Sequence, residues 1–151
     1  MSDQAKLDMA IKYSTNAYIN KLNYAIEEWE KATLLIMSRE KLMYDLENFE
    51  RTASDPNRFF QKEKNLRNSK HRLTEAVQRN NLYKQIDDLE ASLDLILTKI
   101  GKELNDNITY KNRLYRDKMK WDRIEMLYML NEERRNMFIK HDESMMIINT
   151  K

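Results

Sequence analysis

The side chains that could do chemistry are few and poorly grouped for it. His71 and His141 are the only histidines, and neither has a second His or a Cys at ligand spacing. Zinc sites need three or four such donors at short, fixed spacings, so both histidines read as solvated helix positions. Glu27, Glu28 and Glu30 lie close together, but the Glu-x-x-His pattern by which bundles hold paired metal ions is absent. No histidine stands at a suggestive spacing from a serine or threonine, which leaves a nucleophile without a base. A single glycine rules out a Gly-rich phosphate loop. Zero cysteines remove disulfides, thiolate catalysis and Cys-ligated zinc together. The expectation is a chain that binds other macromolecules and is no enzyme, with no cofactor and no metal.

What remains is charge. Net charge is only +2, but it is unevenly spread. Residues 1–50 carry −3, residues 51–84 carry +6 and residues 85–151 carry −1. Arg58, Lys62, Lys64, Arg67, Lys70, Arg72 and Arg79 share their stretch with only Glu63 and Glu75 as acids. Ordinary solvated helix faces mix both signs, so this stretch predicts an acidic partner. A second group, Lys111, Arg113, Arg116, Lys118, Lys120 and Arg123, is interrupted only by Asp117 and Asp122. Nucleic acid is the weaker candidate for either group, because total charge is near neutral and acids flank the first patch.

The elements that position these residues are long helices. One Gly (Gly101) and one Pro (Pro56) leave almost no turn chemistry for sheets, and Leu, Met, Lys, Glu, Arg and Gln dominate. With 34% charged and 41% hydrophobic residues, each helix can bury one stripe. A first helix is expected over 1–53 on a seam through Tyr18, Leu22, Ala25, Trp29, Ala32 and Ile36, then Leu35, Leu42, Leu46, Phe49 and Ala53. Its roughly 50 residues would make a rod of about 75 Å, with an N-terminal part free to protrude and pair with another chain. Ser54-Asp55-Pro56-Asn57 forms a corner over 54–60, where Ser54 or Asp55 can cap the next helix. A second helix over 61–104 carries Leu66, Leu73, Ala76, Leu82, Ile86, Leu89, Leu93, Ile96 and Ile100. A link over 105–112, extended at Ile108-Thr109-Tyr110, leads to a third helix over 113–148. Its anchors are Tyr115, Met119, Met126, Leu127, Leu130, Met137, Phe138 and Met145. Six of the ten methionines lie in this helix, most of them on its seam, and read as core rather than as an adaptable groove. The fold class is therefore all-α: one domain, an elongated antiparallel three-helix, spectrin-like bundle or coiled coil.

No run approaches 18 apolar residues, so no membrane partner is expected. The first 20 residues lack a basic segment followed by an apolar core, so no secretory signal is expected and the cytoplasm is the expected location.

The stretch Phe49-Glu50-Arg51-Thr52-Ala53-Ser54-Asp55-Pro56-Asn57-Arg58-Phe59 resembles the core of the antiparallel-microtubule crosslinkers of the spindle midzone and plant phragmoplast. That family carries an (A/S)SDPNRF-like corner, followed by a segment that Asn65-Leu66, Lys70, Arg72 and Leu73 approximate. Its Gly-Gly pair after the corner is replaced here by the Gln61-Lys62-Glu63-Lys64 region. The segment from Lys118 to Tyr128 is similar to parts of long ciliary coiled-coil proteins. The resemblance covers about residues 42–136 and implies a spectrin-like domain whose basic residues face tubulin. It places the chain on the cytoskeleton, in a spindle or a ciliary axoneme. The reading from the residues alone keeps an alternative open: an assembly subunit that binds other coiled-coil proteins or itself without touching tubulin.

Overall fold

Strong helix formers and an apolar residue every third or fourth position fold most of the chain into helices. The computed structural model describes residues 2–12, 21–56 and 69–149. In chain order these hold α1 (Asp3–Lys12), α2 (Leu22–Ala53), α3 (Ser69–Glu103), β1 (Thr109–Tyr110), β2 (Arg113–Leu114) and α4 (Tyr115–Asn149). No helix among the described residues is long and apolar enough to cross a membrane.

The long helices run up, down and up. Glu28 pairs with Lys99, Arg39 with Glu90 and Glu50 with Arg79, so α2 and α3 are antiparallel. Arg39 meets Asp122 and Arg51 meets Glu133, which sets α4 parallel to α2. The accessible surface is 11301 Å², against about 8,200 Å² for a compact monomer of this mass. The bundle is elongated, and the all-α expectation holds.

Two apolar clusters form the core. The lower one joins Ala25, Ala32 and Ile36 to Leu93, Ile100, Leu104, Ile108 and Tyr115. The upper one joins Met43 and Leu46 to Ile86, Met126 and Leu130. Ile86, Leu93 and Ile100 recur every seven residues, as a coiled-coil seam requires. The seam of α2 is different: Glu28, Arg39 and Glu50 are buried in it at intervals of 11 residues. Eleven residues close three turns of a nearly straight helix, so the seam stays inward without strong supercoiling.

The N-terminal segment does not extend the rod. A continuous helix would carry Met9 about 20 Å beyond Leu22, yet Met9 is buried in the cluster that contains Ala25 and Ala32. Ser2 caps α1 by accepting from the Ala5 amide, and Lys12 donates to the carbonyls of Leu104 and Asn105 and pairs with Asp106. The reason is that α3 ends beside Tyr24, whose hydroxyl bonds Glu103. A straight helix beyond that point would have nothing to bury Met9 against.

A two-stranded hairpin replaces part of the expected link. Thr109 pairs with Leu114 and Tyr110 with Arg113 around Lys111 and Asn112, both at positive φ. Two left-handed residues make the two-residue turn that suits strand twist. Asn105, also at positive φ, ends α3. Because Arg113 and Leu114 belong to β2, α4 begins at Tyr115.

Candidate partner-binding site

Between the two apolar clusters lies a buried ionic layer centred on Arg39, which is fully shielded from solvent. Its guanidinium donates to Glu90 at 2.9 and 3.1 Å, to Asp122 at 2.6 Å and to the Tyr115 hydroxyl at 3.2 Å. Tyr115 donates in turn to Glu40 at 2.9 Å, and Lys118 donates at 2.8 Å to both Glu40 and Asp122. Burial by itself would lower the pKa of Arg39, but hydrogen bonds to Asp122, Tyr115 and Glu90 outweigh it and leave it raised. Lys118 follows the same logic: burial lowers, Asp122 and Glu40 raise, and the net shift is upward. Burial pushes the Tyr115 phenol well above its ordinary range, against the pull of Arg39. Every member of this layer has a charge or hydrogen-bond partner, so the layer fixes helix register and offers no free acid, base or nucleophile.

A second polar cluster closes the top of α2. Buried Glu50 holds Arg79, whose guanidinium lies 5.5 Å from the Phe49 ring centroid. Arg134 of α4 donates to the carbonyls of Glu50, Arg51 and Ser54 and to the Ser54 hydroxyl. It supplies the donors that the last turn of a helix lacks.

These contacts reassign several residues that the sequence offered to a partner. Arg79 is committed to Glu50 and takes part in the fold. In the corner, the Ser54 hydroxyl donates to the Glu50 carbonyl, and Asp55 sits 4.0 Å from Arg134. Ser54 therefore finishes α2. Pro56 is exposed. Asn57, Arg58, Lys62, Lys64 and Arg67, like the expected start of the second helix, lie outside the described residues. Lys70 and Arg72 are exposed at the start of α3. The second basic group is largely consumed internally: Arg113 pairs with Glu125, Arg116 with Asp94, Lys118 with Glu40 and Asp122, and Arg123 with Asp87. His71 lies 3.5 Å from Glu75, and His141 is exposed. Among the described residues no group of three His, Cys, Asp or Glu could hold a metal ion.

The apolar pattern is corrected at one end. Tyr115, Met126 and Leu130 are buried, but Met137 is 70% exposed and Phe138 63%. Every described side chain from Arg135 to Ile147 is exposed. Arg134 marks the end of α2, so residues 135–149 of α4 overhang it by about 22 Å. On α3, Leu73 and Val77 are likewise exposed. Exposed apolar side chains thus continue along α4 and α3 beyond the two core clusters.

The chain is similar to a segment of coiled-coil domain-containing protein 87. It is 43% identical to the Mus musculus protein over 133 residues, which cover 88% of this chain and 15% of that protein. The Homo sapiens protein gives 42% identity over the same shares. The chain thus spans about 15% of the length of the curated relatives it matches. No family model matches the chain, and no solved structure does.

A seam read through apolar residues alone passes over Glu28, Arg39 and Glu50, which are buried in it. Their 11-residue spacing is the signal that could have found them.

Proposed function

We propose that the chain is a helical assembly module of a coiled-coil scaffold: it recognises helices of other chains, or of itself, and performs no catalysis. The overhanging end of α4 carries this reading, since Met137, Phe138 and Met145 are exposed on it. A helix end of this length is marginal in water without packing. Similarity to a protein named for its coiled coils supports the same reading. The test is a photo-crosslinking residue at Phe138, with products mapped by mass spectrometry in cells. Crosslinks to helical segments of other polypeptides, or to a second copy, are expected. Absence of crosslinks, or crosslinks confined to globular surfaces, overturns the reading.

A second reading, contact with the acidic tubulin surface in a spindle or axoneme, is favoured by exposed Lys70 and Arg72 in a stretch of charge +6. Co-sedimentation with microtubules at two salt concentrations tests it. Pelleting that weakens with salt is expected of exposed charge contacts; failure to pellet at low salt removes the reading.

A further inference from the structure

We propose that the cavity beside Gly101 receives the overhanging end of α4 from a second copy of this chain, with Phe138 entering the cavity and Asp142 meeting Lys102. The inference rests on the assembly reading above and names both the partner and the two surfaces.

The cavity lies between the end of α3, the hairpin and the start of α4, and has a volume of about 290 Å³. That is at the lower edge of the roughly 300–1,000 Å³ of sites that enclose whole small molecules, so it suits the side chains of a docked segment. Leu97, Gly101, Ile108 and Leu114 give it an apolar lining, and Leu114 is 44% exposed. The chain's only glycine is thus part of this wall. Nothing in the fold demands it: Gly101 is helical without a positive φ, and the nearest atom an added Cβ would meet is the Asp106 carbonyl oxygen, at 3.9 Å. Glycine is a poor residue inside a helix, and what it leaves here is open space.

No carboxylate lines the cavity, whereas Lys102 and Arg116 do. Arg116 is held by Asp94 and by the Thr98 hydroxyl. Lys102 is different. It is exposed and has no acid partner among the described residues, since Glu103 accepts from Tyr24 and Asp106 pairs with Lys12. An occupant of matching chemistry carries a large apolar side chain one helical turn from a carboxylate.

The overhang of α4 has that pattern. Phe138, Asp142 and Met145 follow at intervals of four and three, which sets them on one face of the helix. Phe138 is 63% exposed; Asp142 is exposed too and makes no ion pair among the described residues. A chain cannot fill its own cavity, because Arg116 and Asp142 stand about 39 Å apart on one continuous helix. Contact between opposite ends of two copies is heterologous, and it propagates instead of closing.

Sedimentation velocity of the full chain over a range of concentrations tests this, with the variants Lys102→Glu and Asp142→Lys. Neither reversal breaks an ion pair of the fold. Parent mass should rise with concentration, past that of a dimer. Each variant alone should associate at least about threefold more weakly, since like charges then meet. An equimolar mixture should regain the parent's association, because each end then finds its opposite charge. Gly101→Met tests the cavity itself: the melting point should hold or rise, because methionine is the better helix former, while association falls at least about tenfold. In the purified chain, a photo-crosslinking residue in place of Phe138 should attach to residues 97–114 of a second copy. A parent that stays monomeric, variants that associate like the parent, a mixture no stronger than either variant, or crosslinks that fall elsewhere overturn the proposal. Crosslinks from Phe138 to helical segments of other polypeptides in cells would then leave the assembly reading standing.

Discussion

Replacing Arg39 with methionine tests whether the buried ionic layer holds the three long helices in register. The guanidinium joins α2 to Glu90 of α3 and to Tyr115 and Asp122 of α4, with no exposed surface. Removing one partner of a buried ion pair costs about 3–5 kcal/mol, mostly because the others are stranded. Stranding here is incomplete, since Asp122 keeps Lys118 at 2.8 Å and Glu90 keeps Arg123 at 3.6 Å. Methionine also refills much of the space, so the cavity cost of a truncation to alanine is mostly avoided. The lower end, about 3 kcal/mol, is the expected loss. In a chain of this size that corresponds to a melting point lower by roughly 6–12 °C. Far-ultraviolet circular dichroism during heating, with urea titration at fixed temperature, measures it. Adding Asp122→Leu and Glu90→Leu should return part of the loss, because an apolar layer strands fewer charges. If Arg39→Met alone stays within about 0.5 kcal/mol of the parent, the layer does not hold the bundle as argued.

Three further outcomes follow from the same contacts. Folded-state pKa values of Tyr115 and Lys118 both lie above their ordinary 10.0 and 10.5, so each group favours the fold while protonated. Their contribution is complete below about pH 10 and is lost as pH rises through the folded values; urea midpoints should fall above that pH, and less steeply for Tyr115→Phe. Arg134→Ala removes the donors that finish α2 and should cost about 1–2 kcal/mol, whereas exposed Arg135→Ala should cost under about 0.5 kcal/mol, both read by denaturant titration. Lys118→Glu places a third carboxylate beside Glu40 and Asp122 and should lower the melting point, while exposed Lys120→Glu should leave it unchanged.

The fold was legible where burial is apolar and periodic. Ala25, Ala32, Ile36 and Leu46 on α2, and Ile86, Leu93 and Ile100 on α3, sit inside as the spacing predicts. The hairpin was legible only as an extended link, because its left-handed positions are filled by Lys111 and Asn112. The one glycine lies in α3, where nothing demands it: a Cβ at Gly101 would meet the Asp106 carbonyl at an ordinary 3.9 Å. The turn of α1 back onto α2 was hidden for another reason. A residue such as Met9 has the same local pattern in a straight rod as in a folded-back one, and only the end point of α3 decides between them. The exposed run of α4 was misread because Met137, Phe138 and Met145 continue the helical period past Leu130. Period alone cannot tell that the neighbouring helix stops at Ala53.

The candidate site was harder still, because a cluster of like charge has two outlets. It can meet an external acidic partner, or it can meet acids that other helices of the same chain hold at matching heights. Lys118, Arg123 and Arg79 took the second outlet, although each lies in a segment that reads as basic. The difference is set by carboxylates distant in sequence: Glu40 for Lys118, Asp87 for Arg123, Glu50 for Arg79. An antiparallel pair makes the rule concrete. Residues of α2 and α3 that face each other have nearly constant summed numbers, as 28 with 99, 39 with 90 and 50 with 79 do. A cation whose computed opposite number is an acid belongs to the fold. Lys84 would face residue 45 by this rule. Lys84 thus stands opposite Asp45, but Lys84 is exposed and Asp45 only half-buried, and it is Leu82 and Ile86 of α3 that pack into the upper cluster. Register therefore names the candidates for pairing, and helical phase decides which of them point at one another. Lys84 fails the second condition, which is why it remains available to a partner.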